Sequence, residues 1–185
     1  MQNRKIYLLA LFFTGYFLMA CNNGKPGNHS TKTNSTNIAA SKMNPAKTIA
    51  ENIINDSDYA TLASALKTTD LLETLDKPGP FTVFAPPDEA FNKLPDGTIE
   101  GLMNKRKNDL ANILSYHIIA GSIKSNELKD GEKLKTFAGE ELTVSFRNGN
   151  LAVNGTNVIT RDVICSNGVI HIIDGVLFPL HQQSD

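Results

Sequence analysis

Apolar positions in the first half of the chain recur at helical spacing. From Lys47 to Leu75, isoleucines and leucines lie three and four residues apart, which is typical of helices with one buried face. Asp56, Ser57 and Asp58 interrupt this pattern with side chains that favour a helix N-cap. Three successive helical segments are therefore predicted. Their buried faces comprise Ile49, Ile53 and Ile54, then Tyr59, Leu62, Ala63 and Leu66, then Leu71, Leu72 and Leu75.

A short strand and two further helices are predicted next. "FTVFA" (81–85) has the pattern of a buried strand and follows the chain-breaking "DKPGP". "PPDEAFNKL" (86–94) begins a helix with Asp88 and Glu89 in its first turn, where the helix dipole favours anions. "NDLANILSYHIIAG" (108–121) then predicts a helix and a short extended segment. Its apolar stripe comprises Leu110, Ile113, Leu114 and His117.

The second half of the chain alternates apolar and polar residues, as strands do. Leu142, Val144 and Phe146 alternate with polar positions, and Leu151 and Val153 continue the pattern. Asn-Gly pairs at 148–149, 154–155 and 167–168 accept the positive φ angles of tight hairpin turns. The pattern predicts an antiparallel meander with its apolar face on the helices, and therefore an α+β fold.

The N-terminal residues predict export and a lipid anchor. Arg4 and Lys5 precede an apolar run from Ile6 to Met19, which is shorter than the ~20 residues that a spanning helix needs. "LMAC" (18–21) resembles the lipobox of bacterial lipoproteins. That resemblance implies a signal peptide over 1–20 and a mature chain that begins at lipidated Cys21, with palmitate among the acyl groups. The alternatives are an uncleaved anchor or a secreted protein without lipid.

Composition separates a linker from one domain. Residues 22–44 are mainly Asn, Ser, Thr, Gly and Lys, which predicts a flexible linker, whereas regular apolar spacing over 45–180 predicts a single domain followed by a tail at 181–185. Without residues 1–20 the net charge is −3, so no nucleic-acid partner is expected. With Cys21 lipidated, Cys165 has no disulfide partner and is interpreted as a buried thiol.

Three separated segments resemble fasciclin domains. "FTVFAPPDEAFNKLP" (81–95), "NILSYHIIAG" (112–121) and "NGVIHIIDGVLFP" (167–179) match the family's conserved segments in order and spacing. The resemblance covers 45–180 and implies a wedge-shaped β-sandwich with helices packed around it. Pro87 departs from the Thr or Asn that is more usual there, which removes a capping hydroxyl. The motif residues given a structural role are Phe84, Asp88, Phe91, Tyr116, His117, His171 and Asp174.

The resemblance also implies candidate partner-binding residues. Family members are extracellular and mostly serve adhesion, and animal members bind integrins near the Tyr-His segment and at an Asp followed by an aliphatic residue. Here these positions are Tyr116 with His117, and Asp162 with Val163. The match at Asp162 is loose, because the flanking residues differ.

The residues themselves favour structural roles over chemistry. His171 lies within the apolar run "VIHII", where a neutral imidazole hydrogen-bonded in the core is the expected arrangement. His117 receives the same interpretation, and Asp174 before Gly175 is interpreted as a turn residue. No pair of histidines has metal-ligand spacing and no Gly-x-Ser-x-Gly elbow occurs. No metal, cofactor or catalytic residue is predicted. The basic cluster at 105–107 is interpreted as a solvated helix junction.

Together these patterns predict a membrane-tethered, extracytoplasmic binding module rather than an enzyme. Its expected partners are the membrane, through the lipid, and an extracellular protein or polysaccharide, including a second copy of the chain. The expected location is the bacterial cell envelope, and Asn22 after the cysteine favours the outer membrane. The alternative is a protein that binds or processes a small molecule or carbohydrate in a pocket between sheet and helices.

Overall fold

The computed structural model describes residues 42–179. The predicted signal peptide, Cys21, nearly all of the predicted linker and the tail lie outside the described residues. No helix within 42–179 is long and apolar enough to cross a membrane.

Helices form most of the first half of the described chain. They are α1 (Ile49–Asn55), α2 (Ala60–Thr68), α3 (Leu71–Asp76), α4 (Asp88–Phe91), α5 (Thr98–Lys105) and α6 (Lys107–Tyr116), with a 3₁₀ turn at Ser57–Tyr59. α1 begins with a capping box in which the Thr48 hydroxyl accepts from the Glu51 amide and the Glu51 carboxylate accepts from the Thr48 amide. Ile54 is the exception to the predicted faces: it is 43% exposed, because α1 turns it away from the side that buries Ile49 and Ile53.

Seven strands form one sheet. They are β1 (Phe81–Ala85), β2 (Ile118–Ala120), β3 (Lys133–Lys135), β4 (Glu141–Arg147), β5 (Asn150–Val153), β6 (Thr156–Cys165) and β7 (Gly168–Ile173), in the order β2-β1-β7-β6-β5-β4-β3. β1 and β7 pair in parallel, and the other neighbours are antiparallel. The two edges of the sheet also meet, since Ile119 bridges Thr136 and the Phe137 amide donates to the Ile118 carbonyl at 2.8 Å. The α+β fold predicted from the sequence is confirmed, with a sheet that nearly closes on itself.

The sheet separates two hydrophobic cores. The inner core lies inside the curled sheet and includes Phe84, Leu142, Val144, Leu151 and Ile173. The outer core joins the helices to the other face of β1 and β7, through Val83, Ala85, Ile170 and Ile172. β7 is therefore buried on both faces. The prediction that the meander lays its apolar face on the helices is wrong, because β4 and β5 face the inner core and the helices cover β1 and β7.

Two of the three Asn-Gly pairs form the predicted hairpin turns. Asn148 and Gly149 connect β4 to β5, Asn154 and Gly155 connect β5 to β6, and all four have positive φ. The third pair differs. β6 ends at Cys165, β7 begins at Gly168, and Asn167 has no positive φ. A two-residue turn does connect β6 to β7, but Ser166 and Asn167 are its central residues, so the prediction that Asn167 and Gly168 form the turn with positive φ at both residues is wrong.

Candidate functional site

Asp162 lies at a bulge where β6 passes His171. Thr160 pairs with Ile172 and Val163 with Ile170, so two residues of β6, Arg161 and Asp162, lie opposite the single residue His171. Asp162 has a φ of 58°, a left-handed conformation that Asp tolerates better than most residues. The bulge directs the Asp162 amide to His171 Nδ1 at 3.2 Å.

The same bulge holds the segment 121–125, which we call the strap. The Asp162 carboxylate accepts from the Ser125 amide at 2.7 Å and also from the Ser125 hydroxyl. His171 Nε2 donates to the Ile123 carbonyl at 2.9 Å. Sequence reasoning missed a third residue that holds the strap, Thr82, whose hydroxyl donates to the Gly121 carbonyl at 2.6 Å and accepts from the Ile123 amide at 2.9 Å. Three strands, β1, β6 and β7, thus fix this segment.

His171 is fully buried and both of its ring nitrogens have partners. Because Nε2 faces a carbonyl and Nδ1 faces an N–H, the arrangement requires the neutral tautomer with its proton on Nε2. The ring stacks on Phe84, with centroids 5.5 Å apart and planes 29° apart. Burial lowers the pKa of His171, although the Ile123 carbonyl and the Asp162 charge act in the opposite direction.

Ser125, His171 and Asp162 are neighbours but do not form a nucleophilic triad. A triad requires the serine hydroxyl on the imidazole and the carboxylate on the other ring nitrogen. Here the Ser125 hydroxyl donates to the carboxylate instead, and His171 contacts two backbone groups. Burial by itself raises the pKa of Asp162. The two hydrogen bonds from Ser125 and the nearby positive charge lower the pKa by more, so the net shift is downward and the carboxylate stays ionised. This geometry provides no imidazole base for Ser125.

Tyr116 and His117 are buried, at 0% and 2% exposure. The Tyr116 hydroxyl donates to the Glu141 carbonyl at 3.1 Å and accepts from Asn154 at 2.6 Å, which ties α6 to the β4 and β5 region. Burial also raises the pKa of Tyr116. These two side chains therefore present no surface to a partner in this structure.

His117 uses the opposite tautomer to His171. Its Nδ1 donates to the Ile113 carbonyl at 2.7 Å, and its Nε2 accepts from the Leu177 amide at 3.0 Å. Burial lowers the pKa of His117 to about 4, so the neutral ring persists to acid pH. It joins the end of α6 to the segment that follows β7. Both histidines therefore form hydrogen bonds to backbone groups. Residues 42–179 contain no cluster of three or more metal-ligating side chains.

The remaining predicted residues have structural contacts. The Asp174 carboxylate accepts from the backbone and side-chain amides of Asn157, at 3.0 and 2.8 Å, just after β7 ends. Asp88 begins α4, yet its carboxylate accepts from the Thr61 amide in the first turn of α2 at 2.9 Å. It therefore links two helices and does not replace the capping hydroxyl of α4. Phe91 packs in the outer core, and Cys165 is buried with a pKa raised by burial.

Asn167 lies in the turn between β6 and β7, as expected, but its side chain has a tertiary role that the sequence did not predict. Its carbonyl oxygen accepts from the Ile49 amide at 2.9 Å, and its amide group donates to the carbonyls of Leu75 and Lys77 at 2.7 and 2.9 Å. The side chain thus joins the β6–β7 turn to α1 and to the end of α3. The sequence signal for this role was that Asn167 lies inside the third segment that resembles fasciclin domains, 167–179.

One exposed groove borders this network, and we call it the Ile164 groove. It has a volume of about 520 Å³ and is lined by Pro78, Pro80, Ser122, Lys124, Ile164 and Val169, among others. Ile164 is 42% exposed and lies two residues after Asp162, while Lys124 is exposed on the strap. Val163, which lies between Asp162 and Ile164 in the sequence, is half-buried against the outer core. Among residues 42–179, no carboxylate lines this groove.

Within residues 42–179, a sheet that nearly closes on itself, helices on one face, and a strap held by a buried histidine, a buried threonine and a half-buried aspartate define a recognisable class. A profile of the Fasciclin domain family matches residues 57–179. The chain is 41% identical over 150 residues to the protein sll1483 of Synechocystis sp., which spans 80% of this chain and 83% of that one. It is 36% identical over 147 residues to the cell surface glycolipoprotein MPB83 of Mycobacterium bovis, over 77% of this chain and 64% of that protein.

A solved structure agrees with the sequence relatives. The FAS1 domain pair from the insect cell adhesion molecule fasciclin I aligns with a TM-score of 0.66 and 22% identity, over 73% of this chain and 52% of that one. The likeness to that structure concerns the fold. The chain belongs to the Fasciclin domain family.

Proposed function

We propose that this protein is a membrane-tethered, extracytoplasmic binding module that attaches the bacterial cell surface to an extracellular protein or polysaccharide, including a second copy of the chain. Family membership supports the proposal, since one relative is named as a cell surface glycolipoprotein and a structural neighbour is a cell adhesion molecule. The proposed function involves no catalysis, and tethering many copies to one surface would strengthen weak contacts through avidity.

The tether is proposed to be the lipid on Cys21. The apolar run before "LMAC" and the polar composition of 22–44 support an anchor followed by a spacer. We expect the chain to incorporate labelled palmitate in bacterial cells, and the Cys21→Ser variant to incorporate none and to leave the membrane fraction. A Cys165→Ser variant is the matched control and is expected to be labelled as the wild type. Equal labelling of the Cys21→Ser variant would contradict the tether.

The contact surface is proposed to be the Ile164 groove. Tyr116 and His117 are buried, and the Asp162 carboxylate is engaged by Ser125, so these side chains are not free to contact a partner. The exposed groups beside Asp162 are Lys124, on the strap that Asp162 holds, and Ile164, two residues further along β6. Within residues 42–179, Lys124 is in no ion pair. An apolar groove beside an exposed ammonium group suits a partner segment that presents an apolar group next to an anion, such as an aliphatic side chain beside a carboxylate.

Retention of envelope and matrix fractions tests this proposal. The full chain is reconstituted in lipid nanodiscs and offered fractions that have been divided into protein and polysaccharide pools. We expect specific retention from one pool and a loss of at least ~10-fold with the double variant Lys124→Glu, Ile164→Asp, which corresponds to about 1.4 kcal/mol. Ile54→Asp is the matched control, since Ile54 is as exposed as Ile164 but lies on α1, outside the groove.

The outcomes separate the candidate functions. Retention that falls equally with Ile54→Asp would contradict the groove as the contact surface. No retention, even from densely loaded nanodiscs, would contradict adhesion and favour the small-molecule alternative. The groove on the helical side, with a volume of about 340 Å³ and lined by Leu102, Arg106, Ile113 and Phe178, would then be tested.

A further inference from the structure

His171 connects the strap to the β6 bulge through two different backbone bonds. Its Nε2–H donates to the Ile123 carbonyl of the strap, and its Nδ1 accepts from the Asp162 amide of the bulge. The Asp162 carboxylate in turn holds Ser125, at the far end of the strap. The His171 ring thus holds the strap at Ile123, and the Asp162 carboxylate holds it at Ser125.

The charged groups that face His171 come from two elements. β6 contributes Asp162 and Arg161, whose charges act on the ring in opposite directions. The strap contributes Lys124, whose charge acts on Asp162. β1 contributes the Phe84 ring, which is uncharged. Asp162 is the only anion acting on the ring among these groups.

Protonation would change only one of the two His171 bonds. A proton from solvent on Nδ1 converts this atom from an acceptor into a donor, so it can no longer accept from the Asp162 amide. The Nε2–H bond to Ile123 remains, because that nitrogen already donates. The new Nδ1–H needs an acceptor, and the Asp162 carboxylate is ionised and close enough to interact electrostatically with the ring.

We propose that the strap is an acid-operated latch in which Asp162 exchanges Ser125 for the protonated His171. In neutral solution the carboxylate holds Ser125, and in acid it turns to the imidazolium and releases that end of the strap. The other end stays attached, because Thr82 and Ile123 contain no group that titrates in this range. Lys124 lies between the two ends, so the latch also alters one wall of the Ile164 groove.

The pH dependence of the latch follows from the burial of His171. Since burial lowers the pKa of His171 below its ordinary value near 6.5, the neutral, latched form dominates at pH 7. The unfolded chain takes up the proton first as the pH falls below 6.5, so acid both destabilises the folded domain and populates the released form.

Amide hydrogen exchange of the full chain in detergent micelles tests the latch residue by residue. Protection factors, corrected for intrinsic rates, are measured from pH 7 to pH 4.5. We expect the protection of the Ser125 and Asp162 amides to fall at least ~3-fold towards acid pH, while the Ile123 amide, held by Thr82, keeps its protection. The midpoint should equal that of the His171 imidazole, followed by its NMR shifts in the same sample.

His171→Gln is the matched variant, because its side-chain amide donates near the Nε2 position without titrating. We expect protection at Ser125 to be independent of pH in this variant. Loss of protection at Ser125 and Ile123 together would indicate general opening and overturn the latch. Unchanged protection of Ser125 while His171 titrates, or no titration of His171 down to pH 4.5, would also overturn it. Should His171→Gln fail to fold, the wild-type comparison of the two midpoints decides.

The latch does not depend on the proposed adhesion function. Exchange is measured without a partner, so a latch that works in a protein retaining no ligand would contradict only the function of the groove. A protein that retains a partner but shows no loss of Ser125 protection in acid would contradict only the latch.

Discussion

The His171→Ala variant is expected to lose about 3 to 5 kcal/mol of unfolding free energy. The substitution removes a fully buried ring that stacks on Phe84 and leaves a cavity in the inner core. It also leaves the Ile123 carbonyl and the Asp162 amide without their partners. Denaturant unfolding followed by circular dichroism at pH 7 measures the loss as a lower transition midpoint.

Two comparisons make this result specific. Ile164→Ala removes a partly exposed side chain from the adjoining strand and should cost less than about 1 kcal/mol, since little buried area is lost. A His171→Ala variant with wild-type stability and no retention of a partner would show that His171 contacts the ligand, and would contradict its assignment to the core.

The Gly168→Ala variant is expected to lose about 3 kcal/mol or more. A methyl group at this position would lie 2.0 Å from the Phe81 carbonyl oxygen, and the first pair of the parallel β1–β7 ladder would have to separate. β1 and β7 form the wall between the two cores, so the strain affects both. Thermal unfolding provides the measurement, as a large fall in the midpoint temperature.

Gly149→Ala is the control for the loss of a glycine. Gly149 also belongs to an Asn-Gly pair and has a φ of 79°, but nothing lies within 4 Å of an added methyl group. This variant should therefore cost only the conformational strain of about 1 to 2 kcal/mol. Equal losses at the two positions would indicate that backbone conformation, and not the contact with Phe81, determines the cost.

Local patterns predicted most helices and strands. The spacing of Ile49 and Ile53, the break at "DKPGP" and the alternation of Leu142 with Val144 each depend on a few neighbouring residues. The strand partners were not predictable in the same way. Alternation reveals that one face of a strand is buried, but it does not identify what buries it. The parallel pairing of β1 with β7 joins segments more than eighty residues apart and leaves no local trace.

In the candidate site, too, some residues were predictable from local sequence and others were not. The histidine in an apolar strand and the Tyr-His segment were visible in the sequence, and both histidines lie in the core with two hydrogen bonds each. Thr82 and Ser125 were missed, because a hydroxyl in a strand or a loop has no periodic signature. Their roles appear only once the strap crosses β1 and the bulge of β6 faces it.

The sequence by itself determined the helices at 49–76, the hairpin turns at 148–149 and 154–155, the α+β class and the family resemblance. Each of these depends on local backbone preference or on the spacing of apolar residues. Only the tertiary structure decided that the turn before β7 centres on Ser166 and Asn167 and not on the third Asn-Gly pair, that the curled sheet encloses its own core, and that Tyr116 and His117 are buried. These features depend on which distant groups meet, and a hydrogen bond such as that from Ile49 to Asn167 forms only after the chain has brought them together.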